Sequence, residues 1–414
     1  MARRTATALS SSGVALLCVA LGGCGRAASP ASPAADAGPF FTADLTSGKF
    51  GDPLPSVTAE ELASFRDGKD AFLKQEVVGS GLGPVFNQPV CTQCHDSPPA
   101  IGGTNQRLET RYGRRLPDGG FDPLTEKGGT LLHDHGIGPV PGFSFGPESI
   151  PPEANVIAAR RTQPVFGLGL VEATPDSVFL ALAESQAREA PEAAGRAAMV
   201  IDLGTGQRAV GRFGWKAQDP TLFQFSGDAA LNEMGITSPQ FPDEVCPQGD
   251  CSTLAYNPLP TLNDPEGKDI ARFTAYMQFV GPPPAPVLTG QVKRGSDLFA
   301  AIGCAVCHVP TLITGPNSSV ALDRVAYHPY SDFLLHDMGG LGDGIDQGDA
   351  RGPEMRTQPL WGLSFQGRML HDGRAVTVTG AIEAHDGQGA GARDRFAALG
   401  QDDRAALLVF LAAL

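Results

Sequence analysis

Basic residues are few in this sequence. The 414 residues include 31 Lys and Arg against 45 Asp and Glu, which gives a formal net charge of -14. Nucleic-acid-binding proteins neutralise phosphates with clustered basic side chains, and no such cluster occurs here. We therefore expect no nucleic-acid partner. The acidic surface permits a basic protein partner, although it serves solubility equally well.

Aromatic residues and long apolar runs are also scarce. Aromatic residues make up 7% of the chain, and a bound cofactor could supply core volume that side chains do not. The clearest apolar run, Val14 to Leu21, follows Arg3 and Arg4 and is too short for a permanent membrane span. This order is typical of an export signal, so we predict a signal peptide at residues 1–23.

The end of this signal resembles a bacterial lipobox. The tetrapeptide Leu-Gly-Gly-Cys that ends at Cys24 predicts cleavage before that cysteine and a lipid on its sulfur. A cleaved signal with an incidental cysteine is the alternative. Residues 27–39 are rich in Ala, Ser and Pro, which favours a flexible tether over residues 24–55. We expect a lipoprotein on the periplasmic side of a bacterial membrane, with inner and outer membrane both open.

The eight cysteines can then all be assigned. Cys18 leaves with the signal, Cys24 carries the lipid, and four others lie in two CxxCH motifs. Cys246 and Cys251 remain. They lie five positions apart in an oxidising compartment, which predicts a disulfide between them. No thiol is left over for reaction.

A proline-rich stretch at residues 281–286 divides the chain. It cannot continue a helix or a strand, and we take it as the boundary between an N-terminal domain at 56–281 and a C-terminal domain at 287–414. Apolar and polar residues rarely alternate as they do in a half-buried strand. The 52 Gly and 35 Pro residues interrupt most apolar runs. These patterns predict a mainly α fold with long Gly/Pro-rich loops.

The two predicted domains share two patterns. The phrase Arg-Thr-Gln-Pro opens residues 161–168 and recurs in residues 356–363. Residues four apart share a helix face, and a glycine on that face permits close approach of a second helix while a phenylalanine packs. Such a pair precedes each CxxCH motif: Gly68 and Phe72, then Gly295 and Phe299. We infer an internal duplication.

The CxxCH motif is the strongest signal and occurs at residues 91–95 and 304–308. It is the attachment signature of c-type haem, in which the thiols add to the vinyl groups and the histidine binds the iron. One motif would also suit a redox dithiol or part of a zinc site. Two, each ending in histidine in an exported chain, favour haem. The predicted haem-binding residues are Cys91, Cys94, His95, Cys304, Cys307 and His308.

Together with these motifs, four further stretches resemble the bacterial di-haem oxidoreductases, which are also labelled thiol oxidoreductases. The stretches are residues 161–175, 211–242, 327–339 and 355–375. That family is similar to the di-haem cytochrome c peroxidases. The resemblance implies two haem c groups in two cytochrome c-like domains. Thiol oxidation itself finds no support, because every cysteine already has an assignment.

The resemblance also implies roles for three residues. In the peroxidase relatives a Trp lies between the haems, and a Gln and a Glu face the open side of the N-terminal haem. The matching positions are Trp215, Gln224 and Glu233. A carboxylate in a partly desolvated pocket can take a proton from one peroxide oxygen and return it to the other. The alternatives are a structural carboxylate and a core aromatic, and Glu172 is a second candidate acid.

The second haem needs a sixth ligand if it only transfers electrons. The candidates are His336, Met338, Met355, Met369 and His371. We favour His371, because related di-haem proteins share an H-[DN]-G phrase there. A methionine would raise the reduction potential and a second histidine would lower it. His133 and His135 lie in a Gly-rich loop and are expected to be exposed.

A calcium site is a further implication, since the peroxidase relatives hold one between their domains. Asp343, Asp346 and Asp349 lie among glycines in residues 339–352 and offer oxygen ligands. Their spacing matches no strict calcium loop, which favours a solvated turn.

We therefore expect an exported, peroxidase-like di-haem oxidoreductase. The haem on His95 would meet peroxide or oxygen. The haem on His308 would accept electrons from a small redox protein such as a mono-haem cytochrome or a cupredoxin. The alternatives are a non-catalytic di-haem electron carrier and a di-haem oxygenase that acts on a polymer or a protein.

Overall fold

The computed structural model describes residues 49–414 with the exception of residues 97–99, 106 and 260–261. The described residues belong to one compact unit. The predicted signal peptide, Cys24 and most of the predicted tether lie outside the described residues. Within the described part of the chain, no helix is long and apolar enough to cross a membrane.

The described residues form nine α-helices and thirteen short strands. The helices are α1 (Ala59–Leu73), α2 (Leu168–Glu172), α3 (Asp176–Glu189), α4 (Leu222–Met234), α5 (Lys268–Phe279), α6 (Gly290–Ala301), α7 (Val378–Glu383), α8 (Ala390–Ala397) and α9 (Gln401–Leu411). The strands are β1 (Val85–Phe86), β2 (Leu108–Arg115), β3 (Phe121–Asp122), β4 (His135–Gly136), β5 (Gly138–Val140), β6 (Phe143–Phe145), β7 (Val156–Arg161), β8 (Ala198–Ile201), β9 (Arg208–Gly211), β10 (Leu312–Ile313), β11 (Ala326–Tyr327), β12 (Leu335–Asp337) and β13 (Glu354–Arg356).

The strands form small antiparallel sheets that pack among the helices. β2 is the central strand of a three-stranded sheet with the order β3-β2-β7. The remaining strands pair two by two, as β1-β4, β5-β6, β8-β9, β10-β11 and β12-β13. No sheet within the described residues is large enough to form a core layer by itself.

The expectation of a mainly α fold is therefore wrong. The structure is 36% helical and 16% strand, and its strands are spread over several small sheets. The sequence pattern did not predict β2 and β7, because the positions of these strands that face a cavity carry charged side chains. Glu109 lies opposite Arg160 across the pair, and Arg111 lies two residues along the same strand. These side chains line a cavity, so the apolar and polar alternation of an ordinary half-buried strand is absent.

The duplicated Gly and Phe pairs do permit close helix packing, as predicted. A Cβ added at Gly68 on α1 would lie 2.4 Å from the carbonyl oxygen of Arg272 on α5. A Cβ added at Gly295 on α6 would lie 2.1 Å from the carbonyl oxygen of Ala406 on α9. Phe72 and Phe299 are both buried. Each CxxCH motif therefore follows a helix that packs against a second helix through a glycine at the close contact and a buried phenylalanine.

Replacing Gly295 with alanine is expected to destabilise the protein by about 1–3 kcal/mol, the usual cost of overpacking. The two backbones must separate because the new methyl group would overlap a carbonyl of α9. Thermal unfolding followed by circular dichroism measures the change. Gly146→Ala is the matched control, since no atom lies within 4 Å of a Cβ at Gly146. Equal transition temperatures for the two variants would contradict this account of the helix contact.

The predicted boundary at residues 281–286 lies between α5 and α6. One large core cluster nevertheless contains residues from both sides of it, among them Phe166 and Tyr276 before the boundary and Tyr327 and Trp361 after it. A second cluster joins α6 to α9 through Phe299 and Phe410 and other apolar side chains. The division into two domains stays a prediction.

Candidate functional site

The two CxxCH motifs adopt the same local structure. Cys91–Gln93 and Cys304–Val306 each form a single 3-10 turn. In both motifs the histidine amide donates to the carbonyl of the first cysteine at 2.9 Å. This turn places two thiols and one imidazole at the wall of a cavity, and each motif faces a cavity of its own.

Burial disfavours the thiolate form at three of the four motif cysteines. Burial raises the pKa of Cys91, Cys94 and Cys304 to about 12. Redox-active dithiols have a lowered pKa, because the thiolate is the nucleophile. Among the described residues, the one cluster of His, Cys, Asp and Glu suited to a metal ion is Cys307, Asp332 and His336. It uses a single motif cysteine, so neither a dithiol centre nor a four-ligand zinc site fits the two motifs.

The motif histidines are neutral imidazoles. Burial lowers the pKa of His95 and of His308 to about 4. The Nδ1 atom of His308 hydrogen-bonds the carbonyl oxygen of Tyr330 at 2.9 Å, which leaves Nε2 for a ligand. A neutral imidazole with a fixed ring is the form that binds a metal. Two thiols and such an imidazole beside a large cavity are the donor set that a covalently bound haem requires.

The first cavity has a volume of about 230 Å³. Its wall combines apolar side chains from α4 and α5 with charged side chains from β2 and β7. The structure brings Glu233, at the end of α4, into this wall together with Glu109 and Arg111. The Nε atom of Arg111 donates to Glu109 at 2.8 Å, and the Nδ2 atom of Asn87 donates to Glu233 at 3.0 Å.

Four acidic residues line this wall, Glu109, Asp134, Asp228 and Glu233, and Glu109 and Glu233 differ in charge. Burial, followed by the negative charge of Glu109, raises the pKa of Glu233 to about 8. Burial also acts on Glu109, but the Arg111 guanidinium outweighs it and holds the pKa of Glu109 below its ordinary value. At neutral pH this pair therefore combines the carboxylate of Glu109 with the protonated carboxyl group of Glu233.

Trp215 lies between the two cavities and contributes to the wall of both. It is 8% exposed, and its indole N–H donates to the carbonyl oxygen of Arg161 at 2.7 Å. Its ring centroid lies 6.2 Å from that of His371. The position agrees with the expected location of a bridging aromatic.

Gln224 does not line either cavity. Its side-chain oxygen accepts from the amide of Leu203 at 2.8 Å, and its Nε2 donates to Asp219 at 3.2 Å. The role predicted for it beside the first haem is therefore not supported by the geometry. Gln224 and Glu233 are nine positions apart, which is about two and a half helical turns. The two side chains consequently leave α4 on opposite faces, and Gln218 lies in the cavity wall instead.

The second cavity has a volume of about 220 Å³ and a mostly apolar wall. All five candidates for a sixth ligand lie in it: His336, Met338, Met355, Met369 and His371. His336 is already engaged, since its Nε2 contacts Asp332 at 3.0 Å and its Nδ1 contacts the sulfur of Cys307 at 3.5 Å. Burial lowers the pKa of His371 to about 4, so this ring is also neutral.

His385 is a further candidate that sequence reasoning missed. It follows α7 and lines the second cavity. Its Nδ1 atom contacts the carbonyl oxygen of Ala381 at 2.8 Å, so Nε2 is the nitrogen left for a ligand. Its ring centroid lies 6.5 Å from that of His308. The H-[DN]-G phrase that pointed to His371 occurs again at residues 385–387 and could have identified this residue.

The loop histidines behave differently from each other. His133 was expected to be exposed, but it is 1% exposed. Its Nδ1 contacts Glu148 at 2.7 Å and its Nε2 contacts the carbonyl of Asn232 at 2.9 Å. Both nitrogens are occupied, and His133 supports the end of α4 beside Glu233. His135 is exposed at the surface.

The aspartates of residues 339–352 are engaged with basic side chains. Asp343 contacts Arg160 at 2.7 Å and Lys216 at 2.8 Å. Asp346 and Asp349 each pair with an arginine at 2.7 Å. The carboxylates neutralise fixed cations, and we propose no calcium site here.

The structure joins Cys246 and Cys251 by a disulfide, with 4.5 Å between their Cα atoms. The loop that it closes contacts the first half of the chain, since the amide of Gln248 donates to Glu148 at 2.6 Å. Glu148 is also the partner of His133. Glu148 thus links the disulfide-closed loop to His133, which supports the end of α4.

The fold and the site can now be compared with known proteins. No curated protein matches this chain. A structure of Kuenenia stuttgartiensis hydrazine synthase pressurized with 20 bar xenon aligns with 95% of this chain and 100% of its own, at 15% identity and a TM-score of 0.39. A MauG-like protein associated with microbial copper homeostasis aligns over 87% and 92%, at 16% identity and a TM-score of 0.38. Scores this low define no shared fold.

A family profile gives a firmer result. The family described as "Di-haem oxidoreductase, putative peroxidase" matches residues 152–414. The match includes the second CxxCH motif, Trp215 and Glu233, and the first CxxCH motif lies before it. Because the match covers more than half of the sequence, the chain belongs to the di-haem oxidoreductase family.

Proposed function

We propose that this chain is an exported di-haem c-type oxidoreductase with peroxidase-like activity. The observation that supports it best is the pair of CxxCH turns, each of which presents two thiols and a neutral imidazole to a separate cavity. The cysteines would hold each haem by thioether bonds, and His95 and His308 would bind the two irons. The haems supply the electron-transfer and peroxide chemistry when bound.

The two cavities suit different tasks. The first has charged side chains and a carboxylic acid in its wall, and His95 is its only histidine among the described residues. The second is mostly apolar, and it presents His385 as well as His308. We assign peroxide or oxygen to the first cavity. In the second cavity His308 and His385 would hold the haem, and this haem would serve electron entry.

Glu233 is the proton-transfer group of this proposal. Heterolysis of peroxide requires a base that takes a proton from one oxygen and an acid that returns it to the other. A carboxyl group whose pKa lies near neutrality serves both steps. Burial raises the pKa of Glu233, the charge of Glu109 raises it further, and the charge of Arg111 lowers it. Together these effects bring the pKa to about 8.

Trp215 provides the route between the sites. It contacts both cavities, and its hydrogen bond to Arg161 fixes the ring. Electrons would enter at the second haem from a small redox protein, for which a mono-haem cytochrome or a cupredoxin has suitable chemistry. We infer from the predicted signal peptide that the protein lies on the periplasmic side of a membrane, with a lipid on Cys24.

Purified mature protein, expressed with a haem-ligation system, is expected to bind two covalently attached haems per chain. Haem staining after denaturing electrophoresis and a pyridine haemochrome assay measure this count. Cys94→Ala should leave the second haem attached, and Cys307→Ala should leave the first. A colourless wild-type protein would overturn the proposal. Spin-state spectroscopy during reductive titration tests the division of tasks, since two six-coordinate irons throughout would indicate a non-catalytic carrier.

A further inference from the structure

Two arginines between the cavities are buried without an acidic partner. Arg161 and Arg356 are 2% and 6% exposed. Among the described residues, no carboxylate lies within ion-pair distance of either guanidinium. The buried Arg160 and Arg212 differ, since each pairs with an aspartate. A buried charge without a counter-charge is costly, so these two positions call for an anion from outside the chain.

The pKa values of Arg161 and Arg356 agree with their burial away from any carboxylate partner among the described residues. Burial lowers the pKa of Arg161 to about 10. Burial also lowers the pKa of Arg356 to about 9, and the charge of Asp332 offsets this only in part. Both values lie above neutrality, so both side chains remain cationic.

The two arginines come from the duplicated Arg-Thr-Gln-Pro phrase, and the two copies meet. Each guanidinium donates to the carbonyl of the threonine that follows it, at 3.4 Å in the first copy and 3.0 Å in the second. The Nε2 atom of Gln163 donates to the side-chain oxygen of Gln358 at 2.5 Å. The phrases therefore face each other at the common wall of the two cavities.

Arg161 and Arg356 each line both cavities, and each donates to two residues of the opposite half of the protein. Arg161, from the first copy, donates to Gln366 at 2.9 Å and to the carbonyl of Leu370 at 3.4 Å, and both of these residues line the second cavity. Arg356, from the second copy, donates to the carbonyl of Gly214 at 2.7 Å and to Gln163 at 3.2 Å. Both of those residues line the first cavity.

We propose that these arginines bind haem propionates in a crossed arrangement, with Arg161 on the haem of the second cavity and Arg356 on the haem of the first. The inference rests on the proposed function, because it requires a haem in each cavity. Haem carries two propionate carboxylates, and the guanidinium fork is the side chain best matched to a carboxylate. Each haem is then attached covalently to one half and paired in charge with the other.

The test measures the midpoint potential of each haem by spectroelectrochemical titration, with the two haems separated by spin state. A nearby cation favours the reduced iron, so its removal lowers the potential. Arg161→Gln should lower the equilibrium constant for reduction of the second haem about tenfold, which is about 59 mV for one electron. Arg356→Gln should do the same to the first haem. In each variant the other haem should keep its potential.

Arg368→Gln is the matched control. Arg368 lies on the surface, donates to the carbonyl of Gly373 at 3.3 Å and lines neither cavity, so neither potential should move. Where a glutamine variant does not fold, the lysine variant at the same position shows which haem the arginine affects. Lysine keeps the charge but loses the two-donor fork, and its smaller shift must fall on the same haem.

The outcomes separate the two proposals. A wild-type protein without haem removes the proposed function. Two bound haems whose potentials do not respond to either arginine, or respond on the uncrossed side, refute the crossed pairing alone.

Discussion

Replacing Glu233 with glutamine is expected to slow the reaction with peroxide about 100-fold or more, the usual contribution of general acid–base help. Glutamine has nearly the shape of glutamate and can still accept from Asn87, but it cannot take up or release a proton. Both haems should remain attached, because Glu233 is not part of either CxxCH turn. Stopped-flow mixing of the protein with hydrogen peroxide measures the rate constant.

The pH dependence gives this prediction a second readout. The pKa of Glu233 is raised to about 8, so the group is mostly a neutral acid at pH 7. Its carboxylate, which is the base that takes the first proton from peroxide, accumulates as the pH rises through 8. The rate constant of the wild-type protein should therefore increase through that range, and the glutamine variant should lose this increase.

Glu172→Gln is the matched control for both measurements. Glu172 is a half-buried glutamate whose pKa is raised, chiefly by desolvation, and it was the second acid suggested by the sequence. It accepts from the amide of Leu222 at 2.7 Å and lines neither cavity. The rate constant of the Glu172→Gln variant with peroxide should stay near that of the wild type. If the two glutamine variants were equally slow, Glu233 would have no special role.

Local spacing was enough to predict the helix contacts, and the haem-attachment residues that it indicates stay a prediction. A CxxCH turn is closed by hydrogen bonds within five residues, and a Gly–Phe pair acts within one helical turn. The acidic pair of the first cavity is different. Glu109 faces Glu233 because β2 pairs with β7. That pairing joins segments about fifty residues apart, and their charged side chains hide the sequence pattern of a strand.

The two errors at single residues have distinct causes. The role of Gln224 was carried over by resemblance, although helical phase alone sets it opposite Glu233 on α4. His133 was taken for a surface residue because glycines surround it. Its burial depends on Glu148 and on the end of α4, neither of which is adjacent in the sequence.

Replacing His385 with alanine is expected to convert the second haem from low spin to high spin. His308 and His385 face each other across the second cavity, with ring centroids 6.5 Å apart. Each ring has its Nδ1 held by a backbone carbonyl, so both present Nε2 as the remaining ligand atom. Electron paramagnetic resonance of the oxidised protein should then show high-spin signals from both haems, where the wild type shows one.

His371→Ala separates this assignment from the one that the sequence favoured. His371 also lines the second cavity and is also neutral, but its ring packs edge-on against Trp215. Its removal should leave the low-spin signal in place. His385→Met should keep the low-spin state and raise the midpoint potential, because a thioether ligand favours reduced iron more than a second imidazole does. A low-spin signal that survives in His385→Ala and vanishes in His371→Ala would transfer the ligand role to His371, and Trp215 would then contact an axial ligand directly.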